Sequence, residues 1–316
     1  MPTVHVRIAA LGPHPDTRAP ALERWIARAD ARASVSDWRA AAFRSIAPEA
    51  REVPAVASAA LSTVSGGDRG AWAAMATPIH LIAGTSDVSL PPEGLLTLGP
   101  DEAEALVSDF NRLFADRDVR LRRVEGAGLI CLFDVPLAVE TTPPEALVGA
   151  SVWEHLPRGP DSRRLVALSS EIEMWLFDSR INERRRLRSE PVVTGLWLWG
   201  GGRTDAAPPP VQGWSAGGDP LFAMLHRQGL YPGAERSGVS RSGVVVVTQW
   251  PGTAGWGDAE RCWLEPAFAD LEEARLEAVE ISAARCSFRI GRRALYRFWR
   301  RSRPWWESFG LGEQRA

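Results

Sequence analysis

An α/β fold, layered around a mainly parallel central sheet flanked by helices, is what this sequence predicts, on three observations. Strand-like and helix-like stretches alternate along the chain instead of segregating. Val244-Val245-Val246-Val247 is an unbroken apolar run of the kind found in parallel strands covered on both faces. Val192 to Trp199 combines valines, Thr194 and two Trp, which suits a buried strand, and runs into Gly200-Gly201-Gly202-Arg203. The glycines are expected to end that strand. They free the backbone for positive φ and allow close approach, at the strand end where open α/β sheets place ligands. Trp197 and Trp199 are then expected to be largely buried in a central strand. The competing reading is a buried strand followed by a plain turn.

The elements follow in order. Val4 to Leu11 alternates and reaches Gly12-Pro13, a first strand. Ala19 to Arg32 carries Leu22, Trp25, Ile26 and Ala29 at helical spacing. Residues 44–70, rich in Ala and Ser with a Gly66-Gly67 break, read as a helix with loops. Thr77 to Ala83 and Leu95 to Leu98 read as short strands. Pro100-Asp101-Glu102 opens a helix through Phe114, with acids in the first turn and Ala105, Leu106, Phe110 and Leu113 on one face. Val119 to Val124 and Gly128 to Phe133 form a hairpin around Glu125 to Ala127.

Thr141-Thr142-Pro143-Pro144 is a break, and a subdomain boundary is placed near 140 within what otherwise reads as a single α/β unit of 316 residues. Asp161 caps a long helix from Ser162 to about Arg186, its inner stripe Leu165, Leu168, Ile172, Trp175 and Leu176. After the strand and its glycines come a Pro208-Pro209-Pro210 loop, a weak strand at Val211 to Trp214, and a helix from Asp219-Pro220 through Gln228. A helix lies within Asp258 to Leu276. Ala278 to Ile281 and Arg285 to Ile290 make a terminal strand pair.

Composition excludes several chemistries. Every basic side chain apart from five His is Arg; the chain has no Lys, so neither a P-loop nor Schiff-base chemistry is available. Gly200 and Gly202 start a GxGxxG pattern, but its last position is Asp205 and a Pro-rich loop follows. No HExxH and no Gly-x-Ser-x-Gly occurs. Cys131, Cys262 and Cys286 are scattered, which supports neither a disulfide framework nor a Cys-zinc site. The formal net charge of -2 gives no bulk attraction to nucleic acid. With no apolar run long enough for a bilayer and no leader pattern, a cytoplasmic protein without a cofactor is expected.

The residues left with chemical potential are few. His14 and Asp16 lie just past the first strand, a metal-ligand position, although such pairs are commonly surface residues. His80 reads as a hydrogen-bonded structural His, and Glu154-His155 as a solvated loop. Arg180, Arg184, Arg185, Arg186 and Arg188 read either as a solvated basic helix end or as an anion clamp. The tail from Arg289 to Trp306 interleaves Arg with Phe288, Tyr296, Phe298, Trp299, Trp305 and Trp306. Such mixtures bind single-stranded nucleic acid. Leu295, Phe298 and Trp299 share one helical face, however, and predict a docked amphipathic helix with a basic exterior.

A series of motifs resembles one family. Thr77-Pro78-Ile79-His80-Leu81 resembles its "DPVHL". Thr141 to Pro144, Leu156-Pro157-Arg158-Gly159-Pro160 and Glu171-Ile172-Glu173-Met174 resemble its "TTPP", "LP-x-G" and "NEIQM". Ile181-Asn182 with Arg185 resembles "PVN-x-x-R", Leu196 to Gly202 resembles "S-x-W-x-WGGG", and Arg297 to Arg301 matches "RFWRR". This is the RpfE-type bacterial regulatory protein family, itself similar to the archaeal-type cofactor-independent phosphoglycerate mutases of the alkaline phosphatase superfamily.

The resemblance implies a reduced phosphoglycerate-mutase-like fold. Departures accompany it. The mutase His-Asp after its Pro pair is Glu145-Ala146 here; its first metal-binding Asp falls near Gly12 to Asp16, where Asp16 is available; its nucleophilic Ser falls near Ser58 or Ser62. Such enzymes use two metal ions to activate the nucleophile. The expectation is a non-catalytic regulatory or ligand-sensing relative, with a small anionic metabolite or a regulatory protein as partner. The alternatives are a metal-dependent phosphomutase or phosphatase with a rearranged site, and a nucleic-acid-binding protein using the Arg/Trp tail. The ligand-binding candidates are Gly200, Gly201, Gly202, Arg203, Asn182, Arg185 and His80, with no metal and no catalytic residue assigned.

Overall fold

The computed structural model describes residues 3–9, 18–32, 38–62, 64, 70–84, 87–205, 214–216, 219–222, 244–249, 264–283 and 286–308. The chain divides into two compact units, one made of 1–53 with 209–316 and the other of 54–208. Residue 140 falls inside the second of these.

The discontinuous unit is built on a six-stranded sheet. Its strands are β1 (Thr3–Ala9), β2 (Asp30–Arg32), β9 (Trp214–Ala216), β10 (Val244–Gln249), β11 (Ala278–Ala283) and β12 (Cys286–Gly291), in the order β2-β12-β11-β1-β10-β9. The valine run sits between two parallel neighbours, as expected, with Val4 opposite Val244 and Val244 opposite Trp214. β11 and β12 form the expected terminal strand pair, and it is antiparallel. Helix α1 (Pro20–Arg28) starts on a Pro, ends on Arg28 and buries Leu22, Trp25 and Ile26. Trp25 stacks on Phe268 of a C-terminal helix (Glu265–Glu272) at 4.9 Å between ring centroids. A helix at Trp38–Ile46, α2, belongs to the same unit, where Arg39 pairs with buried Asp219 at 2.9 Å.

The continuous unit holds α3 (Val56–Ser62), β3 (Trp72–Ile79), a small β4–β5 pair (Ile82–Ala83, Val88–Ser89), α4 (Pro100–Leu113), β6 (Val119–Val124), β7 (Gly128–Phe133), α5 (Ser162–Phe177), α6 (Arg180–Leu187) and β8 (Gly195–Arg203). Its sheet runs β6-β7-β3-β8. The hairpin falls at the expected residues, its turn made by Gly126 and Gly128 at positive φ. Helix α4 buries Ala103, Leu106 and Phe110, three positions of one face, and Phe110 stacks on Phe114 with Trp175 against both rings. Cys131 is fully buried in β7 and burial pushes its thiol up, which leaves it inert.

Four expectations need correction. First, the sheets are not mainly parallel. Every pairing of the Trp-bearing sheet is antiparallel, and among the described residues antiparallel pairings outnumber parallel ones six to three. Trp197 and Trp199 are buried, but β8 is the terminal strand of its sheet and not a central one. A continuously apolar strand reports two covered faces and not strand direction. Here α3 and α5 pack against β8. Residues 141 and 142 meet it as well: the Trp197 indole N–H donates to the Thr142 carbonyl at 2.7 Å, and the Gly200 amide to Thr141 Oγ1 at 3.1 Å.

Second, the glycines do not end β8; it continues through Gly202 to Arg203. Gly200 takes φ +61°. Two residues of β8, Gly200 and Gly201, stand opposite the single residue Ala74, because Met75 pairs with Trp199 and Ala73 with Gly202. That is a bulge, and it requires the glycine at positive φ.

Third, the helix expected over 162–186 is two helices. Ser179 has extended backbone, its hydroxyl accepts from the Asn182 amide, and it donates to the Leu176 carbonyl. One residue thus closes α5 and caps α6.

Fourth, the tail is not a docked amphipathic helix. A 3-10 turn (Arg292–Tyr296) is followed by irregular chain and a short helix at Trp305–Ser308. Ala294 and Trp305 anchor it in the core, while Tyr296, Phe298 and Trp299 are exposed. No helix among the described residues is long and apolar enough to cross a membrane.

Candidate functional site

The sequence-derived candidates gather at the two ends of β8. At the amino end, backbone carbonyls and amides of 191–194 meet side chains from two other segments. Asn182, 1% exposed, donates from Nδ2 to the carbonyls of Leu176 and Val193 and accepts at Oδ1 from the Val193 amide, each at 2.7 Å. Arg185 donates from Nε to the Pro191 carbonyl at 2.6 Å. Its Nη1 lies 2.8 Å from each oxygen of Glu102, in the first turn of α4. His80 Nδ1 is 2.8 Å from the Val192 carbonyl. Thr194 closes the set: its hydroxyl accepts from the Leu81 amide and donates to the Ile79 carbonyl.

Three residues in succession, Pro191, Val192 and Val193, are therefore held by the candidates Arg185, His80 and Asn182, and Thr194 is tied to the backbone of 79 and 81. Arg185 is the one arginine of the helix-end cluster that is buried; Arg180, Arg184, Arg186 and Arg188 are exposed. Arg186 donates to the Phe177 carbonyl and Arg188 faces Glu190. Neighbouring Glu173 has its carboxyl pushed up by partial burial, with its side chain close to Gly195.

At the carboxyl end the glycines are packed from both sides. A β-carbon on Gly201 would sit 2.1 Å from Trp72 Cζ2, one on Gly202 2.3 Å from the Ala55 β-carbon, and one on Gly200 2.8 Å from the Val56 β-carbon. The start of α3 and the Trp72 ring thus occupy the space that side chains would fill. Ser58 of α3 donates to the Arg203 carbonyl at 2.6 Å. The Arg203 guanidinium is exposed and forms a bidentate pair with Asp205, which raises the arginine and holds the Asp205 carboxyl low.

The two ends do not form one point. Gly195 and Gly201 are six residues apart on one strand, roughly 20 Å. His80, Asn182 and Arg185 therefore share one network, and Gly200 to Arg203 another. Ser62, the second serine considered, donates to the Ala59 carbonyl within α3. Among the described residues no three His, Cys, Asp or Glu side chains converge as a metal-ligand group. His14, Asp16, Cys262 and His226 lie outside the described residues, as does the side chain of His5. His155 falls in a 3-10 turn (Val152–His155), with its Nε2 buried and unpartnered.

Sequence reasoning missed Glu102, Thr194, Thr141 and Trp72. Glu102 is legible as a helix-dipole complement, but its partner lies 83 residues away. The Trp72–glycine contact had one signal: three consecutive glycines in a strand indicate a close approach.

No family model matches the chain. It is 31% identical over 67 residues to the 2,3-bisphosphoglycerate-independent phosphoglycerate mutase of Methanothrix thermoacetophila, a match that covers 21% of this chain and 17% of that protein. It is 37% identical over 62 residues to a probable 2,3-bisphosphoglycerate-independent phosphoglycerate mutase of Geobacter sulfurreducens, covering 19% and 15%. The matched segment thus spans less than a fifth of either relative. A solved cofactor-independent phosphoglycerate mutase from Thermoplasma acidophilum aligns with 92% of this chain and 89% of its own at 15% identity, with a TM-score of 0.37. The chain is distantly related to cofactor-independent phosphoglycerate mutases through that segment.

Proposed function

We propose that this chain is a non-catalytic, ligand-sensing regulatory protein of the RpfE type that keeps the scaffold of a phosphoglycerate mutase relative and turns its motif residues to holding the fold. The observation that carries the proposal is the engagement of those residues. Asn182, Arg185 and His80 are committed to the backbone of 191–194, and the glycines are filled by Trp72, Ala55 and Val56. Asn182 has no polar atom to offer a substrate without breaking those bonds, and Arg185 and His80 are fixed in place through Nε, Nη1 and Nδ1. By the motif resemblance, Glu145-Ala146 stand where the mutases have His-Asp. On this reading the ligand is a small anionic metabolite, and Arg203 is its contact, because among the described residues only an exposed carboxylate two residues away competes for that guanidinium.

Thermal unfolding of the purified chain with 3-phosphoglycerate, inorganic phosphate or sulfate tests the proposal. 3-Phosphoglycerate is expected to raise the melting temperature. At about a hundred times its Kd a ligand stabilises by roughly 2.7 kcal/mol. Arg203→Ala is expected to melt like the wild type without ligand, since the pair it breaks is exposed, and to lose the shift. Wild-type protein that melts at one temperature with and without all three anions would end the ligand-sensing reading.

A further inference from the structure

The tail that was expected to dock as a helix instead displays its rings. We infer that the segment 292–303 is a binding surface for single-stranded nucleic acid. This inference is independent of the ligand proposed for Arg203. Tyr296, Phe298 and Trp299 are 73%, 73% and 67% exposed. Phe298 and Trp299 lie edge to face with centroids 5.6 Å apart, so one π-face can be covered by a base without separating the pair.

Two arginines pin the segment. Arg297 donates to the Arg28 carbonyl and to Asp30, and Arg300 to the Ala29 carbonyl, so both satisfy backbone acceptors at the end of α1. Ala294 and Trp305 anchor it on either side. The rings are thereby presented on a backbone already held in place, which lowers the entropy lost on binding.

The remaining arginines are free to meet phosphates. Arg292, Arg293, Arg301 and Arg303 are exposed, and no hydrogen bond or ion pair holds any of them among the described residues. From Arg289 to Arg303 the sequence has seven Arg and no acidic residue, in a chain whose formal net charge is -2. Rings for base stacking set among guanidiniums for phosphates are the recognition chemistry of single strands. An anionic membrane surface would instead call for apolar and basic side chains sorted onto opposite faces of a helix. Here they interleave along a 3-10 turn and irregular chain, and that favours the single strand.

Fluorescence anisotropy of the full chain with labelled oligothymidine at low salt tests the inference. Binding is expected, with a slope of log affinity against log salt of about -3 for four phosphate contacts. The double variant Phe298→Ala/Trp299→Ala should lose roughly tenfold per ring and keep the slope. Phe298→Leu/Trp299→Leu should behave alike, because leucine keeps apolar bulk but offers no π-face. Arg292→Ala/Arg293→Ala, which removes two of the four contacts, should make the slope shallower by about 1.4. All these side chains are exposed, so melting temperatures should match the wild type. Absence of binding, affinity unchanged by loss of both rings, or binding of phosphatidylserine vesicles in preference to the oligonucleotide would each overturn it.

Discussion

Asn182→Ala is expected to destabilise the continuous unit by about 3–5 kcal/mol, the largest loss at any one of the candidate positions. The substitution removes two donors and one acceptor at a site 1% exposed and strands the Val193 carbonyl and amide, while the Leu176 carbonyl keeps the Ser179 hydroxyl and amide. Each buried polar group left unpaired costs roughly 1–3 kcal/mol. The loss is read as the urea midpoint of the transition that reports this unit, because a chain of two units need not unfold in one step. Asn182→Asp sharpens the test through pH. Its carboxylate would face two carbonyl oxygens in a buried site, which raises its pKa above that of an unfolded aspartate. A raised acid favours the folded state only while protonated, so this variant should gain stability as pH falls and lose it as pH rises through the raised value. A wild-type-like midpoint for Asn182→Ala would remove Asn182 from the scaffold and return it to the list of ligand contacts.

Gly201→Ala is expected to cost about 2–3 kcal/mol by overpacking. The nearest atom to the new methyl belongs to a Trp72 ring that is 3% exposed and held edge to face against Phe133 at 5.3 Å, so the ring has little room to move. Were the glycines a surface turn, the same change would cost little. Shrinking the ring gives an internal control. Trp72→Leu destabilises alone by leaving a cavity, but combined with Gly201→Ala the methyl has space, and the pair should be less damaging than the sum of the two. Strict additivity would contradict the contact between Trp72 and Gly201.

What could be read in advance was local. The 119–133 hairpin follows from alternation and turn glycines, and α4 from its Pro, its acids and one apolar face. What could not be read depends on residues far apart in sequence. The direction of β8 is set by its pairing with β3, over a hundred residues earlier, and its burial by α3, α5 and residues 141–142. The tail carries a helical pattern, but Arg297 and Arg300 bond to backbone some 270 residues earlier and hold it out of a helix. The break at Ser179 carries an N-cap signal, a Ser three residues before the Asn182 amide, which the apolar stripe running up to Leu176 outweighs in a reading by periodicity. Asn182, Arg185 and His80 each bond to backbone of 191–193, and Gly200 takes φ +61°. Their partners, Glu102, Val193 and Trp72, decide what they do, and those partners lie outside any local motif.

The central claim is that the mutase-like motifs of this chain serve structure and not turnover. Phosphorus NMR of 3-phosphoglycerate incubated with the protein and added manganese, with and without a chelator, tests it most directly. The account predicts that neither 2-phosphoglycerate nor inorganic phosphate forms faster than in the protein-free control. Formation of either product, abolished by the chelator, would contradict it.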